Sequence, residues 1–229
     1  MPTILLIRHA TNDFVKSGRL PGRTRGIHLN DEGRRQADAL SAALAKRSPD
    51  AIYSSPLERA IETALPLART LSLPIRVLPA LADIDNGDLT GREIKALSED
   101  PATRDLWRTV TERPSRAAFP NGESMLDMQR RAVGAIEQII AAHPDLSLPP
   151  ESNAAQPESP KMRPQTIAVI SHADVIKAIL AHYLDMPFDS FQKIVIAPAS
   201  VSTLSVATDA ESCRRVAVLS VNYTVPNEG

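Results

Sequence analysis

An α/β fold built on parallel strands is predicted by three features of this sequence. The first is the run Thr3-Ile4-Leu5-Leu6-Ile7-Arg8-His9-Ala10-Thr11, where apolar, β-branched-rich residues stop abruptly at an arginine and a histidine. Such a run reads as a buried strand. The second is that this ending recurs. Ala51-Ile52-Tyr53-Ser54-Ser55 leads to Arg59, Ile75-Arg76-Val77-Leu78 leads to Asp83, and Thr166-Ile167-Ala168-Val169-Ile170-Ser171 leads to His172. The third is helical spacing of apolar residues between those runs, as at Ala37, Leu40, Ala43 and Leu44. Parallel strands line up their carboxyl ends along one edge, where ligands bind. Two histidines, two arginines and a carboxylate are therefore expected to converge.

At 229 residues the chain is long enough to bury a substantial core, and it is read as one domain over 1–229. Its 43% hydrophobic and 23% charged content excludes disordered and collagen-like classes. Twenty-six Lys+Arg against 27 Asp+Glu leave a formal charge of −1, which gives no reason to expect nucleic acid as a partner. The single Cys213 excludes an internal disulfide framework and a cysteine-rich zinc site, and it fits a reducing compartment. The first apolar run is too short for a signal peptide and lacks a basic lead-in, and no stretch approaches membrane-spanning length. A cytoplasmic enzyme with no membrane partner is the simplest reading.

After His9 comes a polar segment, Asn12 to Leu29, read as a loop whose Lys16, Arg19, Arg23 and Arg25 form a basic rim for anionic substrates. Asn30 or Asp31 then caps a helix through about Arg47. Ser54-Ser55-Pro56 reads as strand end, N-cap and first-turn proline, so a helix is expected from Pro56 with Arg59 in its opening turns. Orphan amides there favour an anion, and a guanidinium adds a bidentate phosphate clamp.

The acidic stretch from Asp83 through Asp85 and Asp88 to Gly91 also has the composition of a turn. Residues Arg92 to Glu112 read as helical, Arg113 to Pro120 as loop, and Asn121 opens a helix to about His143 with Glu123 in its first turn. Six of the 19 prolines fall between His143 and Thr166, a segment almost without apolar residues and read as a flexible surface insertion near 143–166. A helix follows His172 and stops before Pro187. Ser202 to Thr208 and Arg215 to Asn222 alternate as a terminal hairpin would.

Leu6-Ile7-Arg8-His9, Ser54-Ser55-Pro56-Leu57-Glu58-Arg59-Ala60 and Ile170-Ser171-His172, in this order, resemble the histidine phosphatase (phosphoglycerate mutase-like) superfamily. The resemblance spans Ile4 to about Val206. It implies a three-layer αβα sandwich with a mostly parallel, mixed central sheet. The superfamily usually has glycine after both histidines, where this chain has Ala10 and Ala173, and usually glutamate as proton donor where Asp83 stands.

By this resemblance His9 is the nucleophile that carries the phosphoryl group, and Arg8, Arg59 and a protonated His172 hold it. Asp83 protonates the leaving alkoxide, with Glu123 or Asp85 as alternatives, and activity is expected to peak on the acidic side of neutral. Thr11, Arg19, Arg23, Glu123 and Ala173 are the expected further substrate contacts. No cofactor is expected. A metal site built on His9, His172 and Asp83 is disfavoured, because two arginines would repel a cation. A phosphatase of small phosphorylated metabolites is the preferred reading, a phosphoglycerate mutase-type phosphomutase the alternative, and a non-catalytic phosphate binder the third. A homodimer is compatible with all three.

Overall fold

Six strands make one sheet: β1 (Thr3–Arg8), β2 (Ala51–Ser54), β3 (Ile75–Val77), β4 (Thr166–Ser171), β5 (Ser200–Thr208) and β6 (Arg214–Thr224). The computed structural model describes residues 2–143, 165–208 and 214–225. The strand order is β3-β2-β4-β1-β5-β6. The first four run parallel, and β5 and β6 close one side antiparallel. The sheet is therefore mixed and mostly parallel.

Register decides where the chemistry lies. Arg8 pairs with Ser171 across β1 and β4, and Ser54 with Ile170 across β2 and β4. The ladder runs one step past the strands, through His9 N–H to Ser171 O at 2.9 Å and Ser55 N–H to Ile170 O at 2.9 Å. His9, Ser55 and His172 thus leave three adjacent strands at one level.

Successive residues of β1 alternate between the faces of the sheet. Leu5 and Ile7, with Ile52, Ala168 and Ile170, pack against α2 (Asp31–Ala45) and α3 (Glu58–Leu71) through Leu40, Leu44, Ala60, Ala64 and Leu67. Ile4 and Leu6, with Tyr53, Ile167 and Val169, pack on the other face against α6 (Met125–Ala142) and α7 (Ala173–Tyr183) through Met128, Ile136, Val175 and Ile179. Each of these Leu, Ile, Val and Met side chains contributes roughly 1.5–3 kcal/mol of transfer free energy. The result is three layers.

Several boundaries differ from the sequence reading for physical reasons. The segment after His9 is not all loop. Asn12 Oδ1 accepts from Val15 N–H and starts α1 (Asp13–Ser17), which ends at Gly18 with φ 65°. The helix expected from Pro56 starts instead at Glu58, with Leu57 at the cap and no side-chain cap bond. Residues Arg92 to Glu112 form two helices, α4 (Ile94–Glu99) and α5 (Arg104–Glu112), separated where Asp100 Oδ1 accepts from Ala102 N–H. Ser124, not Asn121, caps α6, so Glu123 precedes that helix instead of lying in its first turn. The proline-rich insertion and the turn joining β5 to β6 lie outside the described residues. Among those residues no helix is long and apolar enough to cross a membrane.

Two short ties shape the surroundings of the strand ends. Leu20 N–H donates to Arg92 O (3.0 Å), Gly91 N–H to Leu20 O (2.7 Å) and Ile94 N–H to Gly18 O (2.9 Å), so residues 18–20 and 91–94 lie side by side. Gly33, in the first turn of α2, lies so close to the segment after His9 that an added Cβ would sit 2.0 Å from Thr11 O. The Gly33→Ala substitution is expected to destabilise by about 1–3 kcal/mol through forced backbone displacement. For a chain of this size that is roughly 2–10 °C in Tm, measurable by thermal denaturation. An unchanged Tm would mean that the helix and the His9 segment part without penalty.

Candidate active site

Arg8 and His9 end β1. Arg8 Nη1 donates to Ile196 O at 2.6 Å, which leaves its Nε buried without a partner. His9 is buried, and its Nδ1 lies 2.8 Å from Ala10 O. A carbonyl can only accept, so Nδ1 carries the proton and Nε2 is the free base. Thr63 joins this turn to α3: its Oγ1 accepts from Ala10 N–H (2.9 Å) and donates to Arg59 O (2.7 Å).

Arg59 lies in the first turn of α3 with no solvent exposure. Its Nη2 donates to Gly22 O (2.8 Å) and to Asp83 Oδ2 (3.0 Å), while Nε and Nη1 are buried and unpartnered. His172 caps α7 backbone-wise, with Nε2 2.7 Å from Ser55 Oγ. Its Nδ1 is unpartnered and stands 3.5 Å from Asp83 Oδ2, beyond a well-formed hydrogen bond. The His9 and His172 rings are 5.2 Å apart between centroids. Ser55, which looks like a helix cap in the sequence, is thus used on His172.

Asp83 is buried between Arg59 and His172, and its Oδ1 accepts from Ile84 N–H at 3.0 Å. Its main chain is held from behind. Arg131 Nη1 donates to Ala80 O and Ala82 O (2.8 and 2.7 Å), Arg131 Nη2 to Asp83 O (3.0 Å), and Arg23 Nε to Asp83 O (3.1 Å). Glu123 completes this brace, accepting from Arg131 Nε (2.6 Å), Arg131 Nη2 (2.8 Å) and Arg23 Nη2 (3.0 Å). Both of its oxygens are occupied by guanidinium groups. Asp85 Oδ1 accepts from Gly87 N–H and Asp88 accepts from Asn121, which are turn contacts.

The basic segment is ion-paired throughout. Lys16 meets Glu32 at 2.7 Å, Arg19 meets Glu93 at 3.0 Å, and Arg25 meets Glu58 at 2.9 Å. Thr11 is buried away from the cleft, with its N–H on Gln36 Oε1 (2.9 Å). Arg8, His9, Asp83 and Ala173 line a cleft of about 360 Å³, with Arg19 on its rim. Ser55, Thr63 and Arg131 are the residues that sequence reasoning did not single out for the site. Ser55 stood inside a quoted motif, whereas nothing near Arg131 in sequence marks it.

The sequence model of the histidine phosphatase superfamily (branch 1) matches residues 4–148 and 154–218. The chain belongs to this superfamily. Phosphoserine phosphatase 1 of Hydrogenobacter thermophilus is 27% identical over 98% of this chain and 93% of its own. Glucosyl-3-phosphoglycerate phosphatase of Mycobacterium tuberculosis is 29% identical over 80% of this chain and 76% of its own. Among solved structures, a mycobacterial glucosyl-3-phosphoglycerate phosphatase in complex with inorganic phosphate superposes with a TM-score of 0.76, at 27% identity over 97% of this chain and 98% of the other.

In this member of the histidine phosphatase superfamily, both histidines are held neutral by their protein surroundings. Burial first, then His172, Arg59 and Arg8, push the His9 pKa well below its ordinary value. Burial first, then Arg59, Arg8 and Arg131, do the same to His172. A group whose folded pKa is depressed contributes stability that is present above its unfolded pKa, near 6.5 for histidine, and is lost as pH falls toward the folded pKa. A dianion among these groups reverses the sign for His172, whose charged form it favours. Binding of sulfate, a dianion that does not itself titrate near neutral pH, is therefore expected to be accompanied by proton uptake by the protein at pH 6.5. Calorimetry in buffers of differing ionisation enthalpy checks this, and an enthalpy independent of buffer would contradict it. Sulfate should also reduce the loss of Tm on acidification below pH 6.5.

Proposed function

We propose that this chain is a phosphatase that hydrolyses small phosphate monoesters through a phosphohistidine on His9. The observation that carries the reading is the set of buried groups that no other protein group engages: Arg8 Nε, Arg59 Nε and Nη1, and His172 Nδ1, around a histidine whose Nε2 is free. Buried polar groups are nearly always satisfied, and guanidinium groups converging on one point suit an anion. The relatives named as phosphatases support the same activity.

The phosphoryl group sits between Arg8, Arg59 and His172, which neutralise its equatorial oxygens. Arg59 need not release Asp83 to do this, because its Nη2 holds Gly22 O and Asp83 while Nε and Nη1 are free to bind. His9 Nε2 attacks phosphorus, the bond to the leaving oxygen breaks, and Asp83, which takes up a proton as the phosphate dianion enters beside it, passes that proton to the leaving oxygen. A water then attacks the phosphohistidine, Asp83 takes its proton, and inorganic phosphate leaves. Arg131 and Arg23 both donate to the backbone carbonyl of Asp83, a fixed placement that supports this role for a side chain one methylene shorter than glutamate. Phosphomutase chemistry would require water to be kept from the phosphohistidine. The relatives named as phosphatases support hydrolysis instead. A cytoplasmic setting fits the single Cys213.

His9→Ala is expected to abolish phosphate release, and a rapid quench without acid should trap labelled phosphate on His9 of the wild-type chain. Near-wild-type turnover in His9→Ala would sink the mechanism. Asp83→Asn should slow alkyl phosphates by about 10²–10⁴-fold and activated aryl phosphates far less, since only the former need the proton. Because His9 is pushed well below its ordinary value, the acid limb of the kcat/KM profile should lie below pH 6.5, with the maximum on the acidic side of neutral. A profile that rises through pH 7 would overturn the assignment of His9 as a free base in the resting chain.

A further inference from the structure

The walls of the cleft differ in character from its floor. Phe14, Val15, Leu20, Ile94, Ile194 and Val195 are among the residues that line the cleft. Ile94 and Val195 are 40% and 68% exposed, so the rim presents large apolar side chains to water. Contiguous exposed apolar surface around a cavity marks a ligand contact.

The charged residues of these walls are matched in pairs. Arg19 is held by Glu93 at 3.0 Å, and Lys177 by Asp174 at 3.1 Å, with Lys177 also donating to Gln192 Oε1 at 3.0 Å. Each pair is neutral as a whole. Of the basic segment, Lys16, Arg23 and Arg25 are turned to Glu32, Glu123 and Glu58. The uncommitted donors are those of Arg8, Arg59 and His172, and the transferring phosphate uses them.

We infer that the leaving group of the substrate is an apolar alcohol without a second anionic group, seated against Phe14, Val15, Leu20, Ile94, Ile194 and Val195. This rests on the phosphatase reading above and names its substrate class. An apolar group there displaces water from the rim, worth about 25 cal/mol for each Å² covered. A carboxylate in the same place would lose hydration and find no free cation, which is unfavourable. The inference departs from the sequence expectation that a basic rim selects substrates with extra negative charge.

The test compares kcat/KM for benzyl phosphate, 3-phosphoglycerate and O-phosphoserine, all with primary alkoxide leaving groups, so that differences report the cleft and not leaving-group basicity. Benzyl phosphate is expected to exceed both others by tenfold or more. Val195→Lys, which places a free cation on the apolar rim, should narrow that ratio by lowering the first value and raising the second. Preference for 3-phosphoglycerate or phosphoserine in the wild-type chain would overturn the inference while leaving the phosphatase reading intact, since phosphate is still released. A ratio untouched by Val195→Lys would remove Val195 from the leaving-group wall and overturn the seat assigned here. No phosphate from any of the three, nor from 4-nitrophenyl phosphate, would overturn the phosphatase reading and the inference with it.

Discussion

A guanidinium with no exposure to water is the constraint that organises this molecule. Burying an arginine is unfavourable by several kcal/mol unless its charge is matched and its donors are satisfied. Arg59 meets the first condition through Asp83 and only part of the second, because Nε and Nη1 have no partner. Much of the neighbourhood follows from that. The segment after Leu20 must bring the Gly22 carbonyl to Nη2, and the turn at 79–83 must deliver a carboxylate. Both imidazoles stay neutral, because burial first and the neighbouring positive charges second disfavour their charged forms. Arg131 and Glu123 then read as a brace that keeps the carboxylate where Arg59 requires it.

The same arrangement exchanges stability for readiness. Burying Arg8 Nε, Arg59 Nε and Nη1 and His172 Nδ1 away from other protein groups costs stability, and a bound anion offsets part of that cost. The donors are preorganised because they are attached to elements that cannot relax toward one another: the end of β1, the first turn of α3 and the first turn of α7. Each element is fixed by apolar packing on its own face of the sheet. Core burial thus stabilises a site that would be unstable alone.

How much of this was legible in the sequence follows from how local each signal is. Arg8, His9 and His172 stand immediately after apolar runs, so strand direction alone brings them to one edge. Arg59 follows a strand by a few residues and a proline. Ser55 was legible as a residue but not as a role, since a serine before proline signals a helix cap equally well, and its hydroxyl is drawn instead to an imidazole 117 positions away. Composition revealed four cations after His9 but could not reveal that their acidic partners lie at Glu32, Glu58, Glu93 and Glu123. Arg131 left no trace, because its carbonyl partners at Ala80, Ala82 and Asp83 are some 50 residues distant and any residue type can supply them.

The backbone tie between residues 18–20 and 91–94 has a wider reach than its three hydrogen bonds suggest. It fastens the segment bearing Phe14, Val15 and Leu20 to the one bearing Ile94, and it does so through main-chain atoms that are indifferent to side-chain identity. The phosphate floor is anchored on strand ends and helix starts, and it meets the first segment only further along, at Gly22 and Arg23. Substitutions at Phe14, Val15, Leu20 or Ile94 can therefore recut the upper cleft without touching the groups that hold the reacting atoms beneath it. An ancestral scaffold of this design can change its diet by drift in two linked stretches of chain while its chemistry stays the same.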